Sequence, residues 1–89
     1  MEKRAWVVVY DIGDHRSRHR VARVLRTVGF HIQRSTFYIQ SMSQREIQAL
    51  ISRLEKHINR KTDRLFVYPV EELEHAEGYL IKPWETFII

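Results

Sequence analysis

The chain contains no cysteine, which removes disulfides, thiolate catalysis and cysteine zinc sites together. Only three glycines and two prolines occur in 89 residues, each where an element can end, so no flexible or Pro-rich linker divides the chain. No apolar run approaches the ~20 residues that a membrane-spanning helix requires, and no internal repeat is present. The start, Met1 to Arg4, leads directly into an apolar stretch without a small-residue cleavage site. A signal peptide is therefore not expected, and a cytoplasmic location is. These absences leave one domain, 1–89, with no membrane partner.

Apolar residues make up 44% of the chain, too many for a disordered tail. A domain this short buries only ~60–65% of its unfolded surface, so the core is thin and a second copy would thicken it. A formal net charge of +4 and a pI near 9.8 favour nucleic acid or another anionic partner. The most informative stretch is residues 4–11, apolar from Ala5 to Tyr10 and ended by Asp11. A buried strand that ends in one carboxylate is suited to placing that charge at a site. Gly13 and Asp14 follow, and then Arg16, Arg18, Arg20, Arg23 and Arg26 crowd one segment, so the carboxylate stands beside dense positive charge.

After Asp14, which occupies an N-cap position, Val21, Val24, Leu25 and Val28 recur at helical spacing, and Gly29 reads as the stop. Arg16, Arg20 and Arg23 fall opposite that apolar stripe, whereas Arg18 projects beside Leu25. Residues 30–40 are aromatic and β-branched, hence extended, with Phe30, Ile32, Arg34, Thr36 and Tyr38 on one face and Gln33, Ser35, Phe37 and Ile39 on the other. One long strand and two short strands meeting near Arg34 both fit, because no Asn-Gly or Gly-Gly turn marks a break. Ser43 to Glu46 forms a capping box, and Ile47, Leu50, Ile51, Leu54 and Ile58 continue it as the clearest helix. Residues 59–62 are a polar turn, and 63–70 a further strand in which Pro69 suits an end or an edge. The last stretch carries Trp84 and the apolar residues Phe87, Ile88 and Ile89, which need cover. Split at Arg34 and Ser35, the order is βαββαβ: an α+β, ferredoxin-like sandwich with two helices on one face of an antiparallel sheet.

Tyr10-Asp-Ile12, Asp14, the basic helix with Arg18 and Val21-Ala22, Gly29-Phe30, Gln33-Arg-Ser35, Phe37 and Val67-Tyr-Pro69 together resemble the small CRISPR-associated adaptation family, Cas-two, over nearly the whole chain. The resemblance implies a homodimer whose extra C-terminal strand packs on the sheet of the partner subunit. It also implies CRISPR adaptation (spacer acquisition) with the Cas-one integrase, and metal-dependent endonuclease activity on single-stranded RNA or double-stranded DNA. By the family pattern, Asp11 is the catalytic and metal-holding acid at the end of the first strand, facing its twin across the dimer axis. Arg18, Arg34, Ser35 and Phe37 stand on other recurrent positions of the family. The sequence departs in having His15 where a second acidic residue is common, so the implied metal shell is sparse.

Chemistry independent of the name points the same way. Phosphodiester hydrolysis needs a positioned water and neutralisation of developing charge, and a hard divalent cation on carboxylates supplies both. Two copies of Asp11 across a two-fold axis suffice for one hydrated Mg2+ or Mn2+, because magnesium keeps several waters and often takes one or two carboxylates. The competing reading has Asp11 cap the following turn or pair with an arginine. His15 and His19 stand four apart, a metal-compatible spacing without a third ligand.

Arg16, Arg20 and Arg23 fit a solvated face as well as a phosphate-tracking one. Lys3, Arg4, Arg34, Lys61 and Arg64 spread the charge and favour the second. The expected nucleic-acid contacts are thus Arg16, Arg18, Arg20, Arg34 and Ser35, and the expected dimer interface is Phe37, Trp84, Phe87 and Ile88. Trp6, Tyr10, Phe37, Phe66 and Tyr68 are expected in the core. The alternatives to an endonuclease are a noncatalytic dimeric scaffold that grips duplex DNA and docks an integrase, and a toxin-like ribonuclease on the same fold.

Overall fold

The computed structural model describes residues 2–70. β1 (Lys3–Asp11) leads to α1 (His15–Arg26), β2 (Phe30–Gln33), β3 (Thr36–Ser43), α2 (Gln44–Glu55) and β4 (Arg64–Val70). The sheet order is β2-β3-β1-β4, and every pairing is antiparallel. This is the βαββαβ, α+β arrangement expected from the hydrophobic pattern. Trp84, Phe87, Ile88 and the expected C-terminal strand lie outside the described residues. Among the described residues no helix is long and apolar enough to cross a membrane.

Both helix starts follow from local chemistry. Asp14 caps α1, its Oδ2 accepting from the Ser17 N–H at 2.8 Å, and the backbone donors at the helix start gain a carboxylate. That contact holds the Asp14 carboxyl below the usual carboxylate range. At α2 the capping box is complete: Ser43 Oγ accepts from Glu46 N–H at 3.1 Å, and Glu46 Oε1 accepts from Ser43 N–H at 2.8 Å.

Side chains alternate across a strand, which divides the sheet into two faces. Trp6, Val8 and Tyr10 of β1 join Phe37 and Ile39 of β3 in one core with Val21, Ala22 and Leu25 of α1 and Ile47, Leu50 and Leu54 of α2. Val7, Val9 and Asp11 therefore point to the opposite face, which carries no helix among the described residues. Direct pairing puts Tyr68 beside Val7, Phe66 beside Val9 and Phe30 beside Tyr38 on that same open face. Phe66, expected in the core, is 42% exposed there, and Phe30 is 60% exposed. Phe37, expected at a dimer interface, is 0% exposed. It has no free surface to offer a partner, because its register puts it on the helix side of the sheet beside Val8.

Residues 30–40 form two strands, broken at Arg34 and Ser35 without glycine or asparagine. Ser35 adopts a φ of 61°, in the left-handed region that a non-glycine residue enters at a cost of about 1–3 kcal/mol. The conformation is held from outside the turn, since Tyr10 N–H of β1 donates to Ser35 O at 3.0 Å.

Gly29 is not the helical stop its position suggests. α1 ends at Arg26 with Thr27 as its cap, and no glycine among the described residues has a positive φ. A glycine stands there because the chain passes close to β3: a Cβ on residue 29 would lie 2.6 Å from Tyr38 O. That oxygen is backbone and cannot rotate away. Gly29→Ala is therefore expected to destabilise the fold by about 1–3 kcal/mol, as overpacking does. At ~4–8 °C per kcal/mol for a domain of this size, the loss is readily seen in a thermal melt, and an unchanged melting temperature would contradict the close approach.

Candidate functional site

Asp11 ends β1, a central strand of the sheet, and its side chain is exposed on the open face. Its register partner is Arg64 of β4, but the Arg64 guanidinium donates to Asp63 O at 3.2 Å. Among the described residues no ion pair or hydrogen bond engages the Asp11 carboxylate. Neither alternative considered for it, turn capping or arginine pairing, is realised here.

The turn-capping role belongs to Asp63, which the residue pattern places only as the start of a strand. Its carboxylate accepts from Asn59 N–H at 2.8 Å, Gly13 N–H at 3.3 Å and the Thr62 hydroxyl at 3.2 Å. Asp63 is 6% exposed and joins the loop after Asp11 to the loop between α2 and β4. The Asn59 amide does most to hold its carboxyl below the usual range; partial desolvation opposes this and the Gly13 amide adds to it. A depressed folded value stabilises the fold above the unfolded carboxylate pKa of about 3.9, and that contribution disappears as pH falls through the folded value. The melting temperature of wild type should therefore exceed that of Asp63→Asn by the largest margin above about pH 4, narrowing as the solution is made more acidic. A margin independent of pH would remove the charge from this account.

Positive charge is organised by α1. The segment His15–Arg26 holds no acidic residue, so near the positive end of the helix dipole the N-cap Asp14 carboxylate, which also feels the Arg16 guanidinium, is the acid that offsets the cations of α1. His15, Arg18, His19, Ala22 and Arg26 follow i, i+3, i+4, i+7 and i+11, a single stripe. That stripe faces Tyr10, His31, Arg34 and Ser35 across a cavity of about 300 Å³. Arg18 is held in place, its Nη1 donating to Ile12 O at 3.2 Å and its Nη2 lying 3.3 Å from His15 Nδ1. His31 stacks on Phe37 with ring centroids 4.6 Å apart and planes 10° from parallel. Burial pushes the Tyr10 phenol up, and the nearby Arg26 and Arg18 guanidiniums pull it back.

Of the residues expected to touch nucleic acid, the fold brings Arg18, Arg34 and Ser35 together in this cleft. Arg16 and Arg20 lie round the helix in a shallower groove with His15, His19 and Arg23. His15 and His19 border both, so one basic band runs from the β2–β3 turn over α1. Asp11 lines neither. The His15 and His19 rings are 6.3 Å apart, and no group of three metal-compatible side chains occurs among the described residues. Arg26 and His31 were not expected. The helical stripe contains a signal for Arg26, whereas nothing local places His31 opposite it.

The architecture is that of a two-layer ferredoxin-like domain with a lone carboxylate at a central strand end and an arginine-rich cleft beside it. Residues 4–77 match the family CRISPR associated protein Cas2, and the chain belongs to that family. It is similar to the CRISPR-associated endoribonuclease Cas2 4 of Rhodospirillum rubrum, with 36% identity over 64 residues covering 72% of this chain and 51% of that one. The chain thus matches about half the length of that relative. Among solved structures, a hypothetical protein from Thermus thermophilus superposes with a TM-score of 0.74 at 31% identity, over 79% of this chain and 84% of that one. Streptococcus pyogenes Cas2 at pH 6.5 shares the fold, with a TM-score of 0.73 at 22% identity over 82% and 93% of the two chains.

Proposed function

We propose that the protein is a CRISPR-associated endoribonuclease that works as a homodimer in spacer acquisition, with Asp11 as the metal-holding residue. The observation that carries this reading is the Asp11 carboxylate, unpaired among the described residues, on the apolar face of the sheet opposite the helices. A carboxylate with no partner among the described residues fits a ligand supplied from outside the subunit. The open face, with Phe66, Phe30 and Val9, suits a two-fold partner, and a second copy on that face would bring a second Asp11 towards the first. One carboxylate per chain does not make a metal site, but two suit a magnesium or manganese ion that keeps most of its waters. Such an ion would neutralise charge at the reacting phosphate and lower the pKa of a bound water. The basic band would align the substrate strand, single-stranded RNA or double-stranded DNA, by its phosphates.

One observation favours a second reading, the noncatalytic scaffold that binds duplex DNA with a Cas-one integrase. Asp11 does not line the basic cleft, so grip and carboxylate are separable on this surface.

Two measurements test the proposal together. Cleavage of single-stranded RNA should require magnesium or manganese and stop in chelator; cleavage that continues in chelator overturns the metal role. Binding should weaken steeply with salt, and replacing Arg16 and Arg20 by alanine should lower the log-log slope by roughly 0.7 per lost contact on single strands and roughly 0.9 on duplex DNA. An unchanged slope with an intact fold returns these two arginines to a merely solvated face.

A further inference from the structure

We propose that the cleft between α1 and the β2–β3 hairpin binds a terminal phosphomonoester, the phosphorylated end of a nucleic-acid strand, in preference to an internal phosphodiester. The proposal rests on the nucleic-acid reading above and adds a specific ligand to it.

Charge is the first argument. Arg18, Arg26 and Arg34 line the cavity, no carboxylate does, and none pairs with these arginines among the described residues. Three fixed positive charges exceed what one diester monoanion needs. A monoester carries about −1.5 to −2 at neutral pH and three strong acceptor oxygens, which matches planar guanidinium forks far better.

Shape is the second. Ala22 occupies the middle of the α1 stripe, so the helix recedes where its neighbours carry long side chains. The resulting volume of about 300 Å³ lies at the small end of ligand pockets, which run to ~1,000 Å³. It suits one terminal nucleotide.

The donors are also preset. Arginine has no acceptor, so the His15 Nδ1 that meets Arg18 must accept, which puts the proton of neutral His15 on Nε2 as a further donor. Ser35, which borders the cleft, is held in its left-handed conformation by the Tyr10–Ser35 backbone bond. Fixing these groups before binding removes part of the ordering cost. His31 covers Phe37 with one ring face and remains exposed, leaving a platform on which the terminal base or sugar can stack.

The test uses the full chain and one short single-stranded oligonucleotide in three forms: 5′-phosphorylated, 3′-phosphorylated and with hydroxyls at both ends. Wild type should bind one phosphorylated form about tenfold more tightly than the hydroxyl form, as one charge-assisted hydrogen bond implies, and the two phosphorylated arms identify the end. Arg26→Ala, an exposed position where folding is checked by circular dichroism, should erase this preference by weakening the phosphorylated form about tenfold more than the hydroxyl form, which also loses some affinity because Arg26 belongs to the basic band; Arg26→Lys should restore part of it. Equal wild-type affinity for all three forms overturns the proposal and leaves the nucleic-acid reading standing. A preference that survives in Arg26→Ala overturns the cleft as its source. If no oligonucleotide binds, a nucleoside monophosphate that shifts the His15 and His31 NMR signals in wild type but not in Arg26→Ala supports the phosphomonoester site and overturns the nuclease reading instead. Absence of both signals overturns both.

Discussion

Replacing Asp11 by asparagine is expected to reduce metal-dependent cleavage about a hundredfold or more while leaving nucleic-acid binding intact. The substitution nearly preserves size and removes the negative charge that a hard cation needs, so several kcal/mol of charge stabilisation at the reacting phosphate is lost, at ~1.4 kcal/mol per tenfold in rate. Because Asp11 is exposed and unpaired among the described residues, the fold has little reason to respond. Affinity measured without metal should hold or rise slightly, since one negative charge that repels phosphate is removed. The comparison needs purified wild type and variant, single-stranded RNA and duplex DNA, and magnesium, manganese or chelator from neutral to alkaline pH. A variant that cleaves as well as wild type shows that Asp11 holds no catalytic metal. If neither protein cleaves under any condition while both bind duplex DNA, the scaffold reading stands in place of the nuclease.

Phe66→Glu is expected to convert the proposed dimer to monomer. Phe66 lies on the helix-free face opposite Val9, 42% exposed in the single chain. A two-fold interface on that face would bury the substituted carboxylate twice, once per subunit, without a partner. Even at ~2 kcal/mol per copy, the dissociation constant would rise by about three orders of magnitude. Light scattering at tens of micromolar should give twice the 10.8 kDa chain mass for wild type and a single mass for the variant, with unchanged circular dichroism. A wild-type monomer would remove the dimer from the proposal, and a variant that still dimerises would move the interface to another face.

Much of the fold is legible locally because it depends on near neighbours. Asp14 and Ser43 announce helix starts through contacts three residues long, and the 3.6-residue recurrence of Ile47, Leu50 and Leu54 marks the buried face of α2 without reference to the rest of the chain. Asp11 at the end of an apolar strand is visible for the same reason. The hairpin break at Arg34 and Ser35 is less so. Its left-handed serine is held by a bond to β1, and residue preference alone would not choose serine for that conformation.

Gly29 illustrates the limit: glycine after a helix suggests a stop, and only the approach of the Tyr38 carbonyl reveals its actual constraint. Phe66 and Phe37 divide on similar grounds. Both are aromatic strand residues, and their opposite fates follow from strand register, which sets Phe66 against Val9 and Phe37 against Val8. Asp63 reaches Gly13 across 50 positions, a contact that no short-range pattern encodes.

Element order, caps, charge bias, the strand-end carboxylate and the family resemblance are all written in spacings of a few residues, because helix and strand periodicities are local properties of the backbone. The helix-free face, the Asp63 clamp behind Asp11 and the cleft joining Arg18 and Arg26 to His31, Arg34 and Ser35 arise only when sheet register and helix packing bring distant segments together. Those contacts depend on complementary surfaces, and a surface exists only after the elements that form it have been placed.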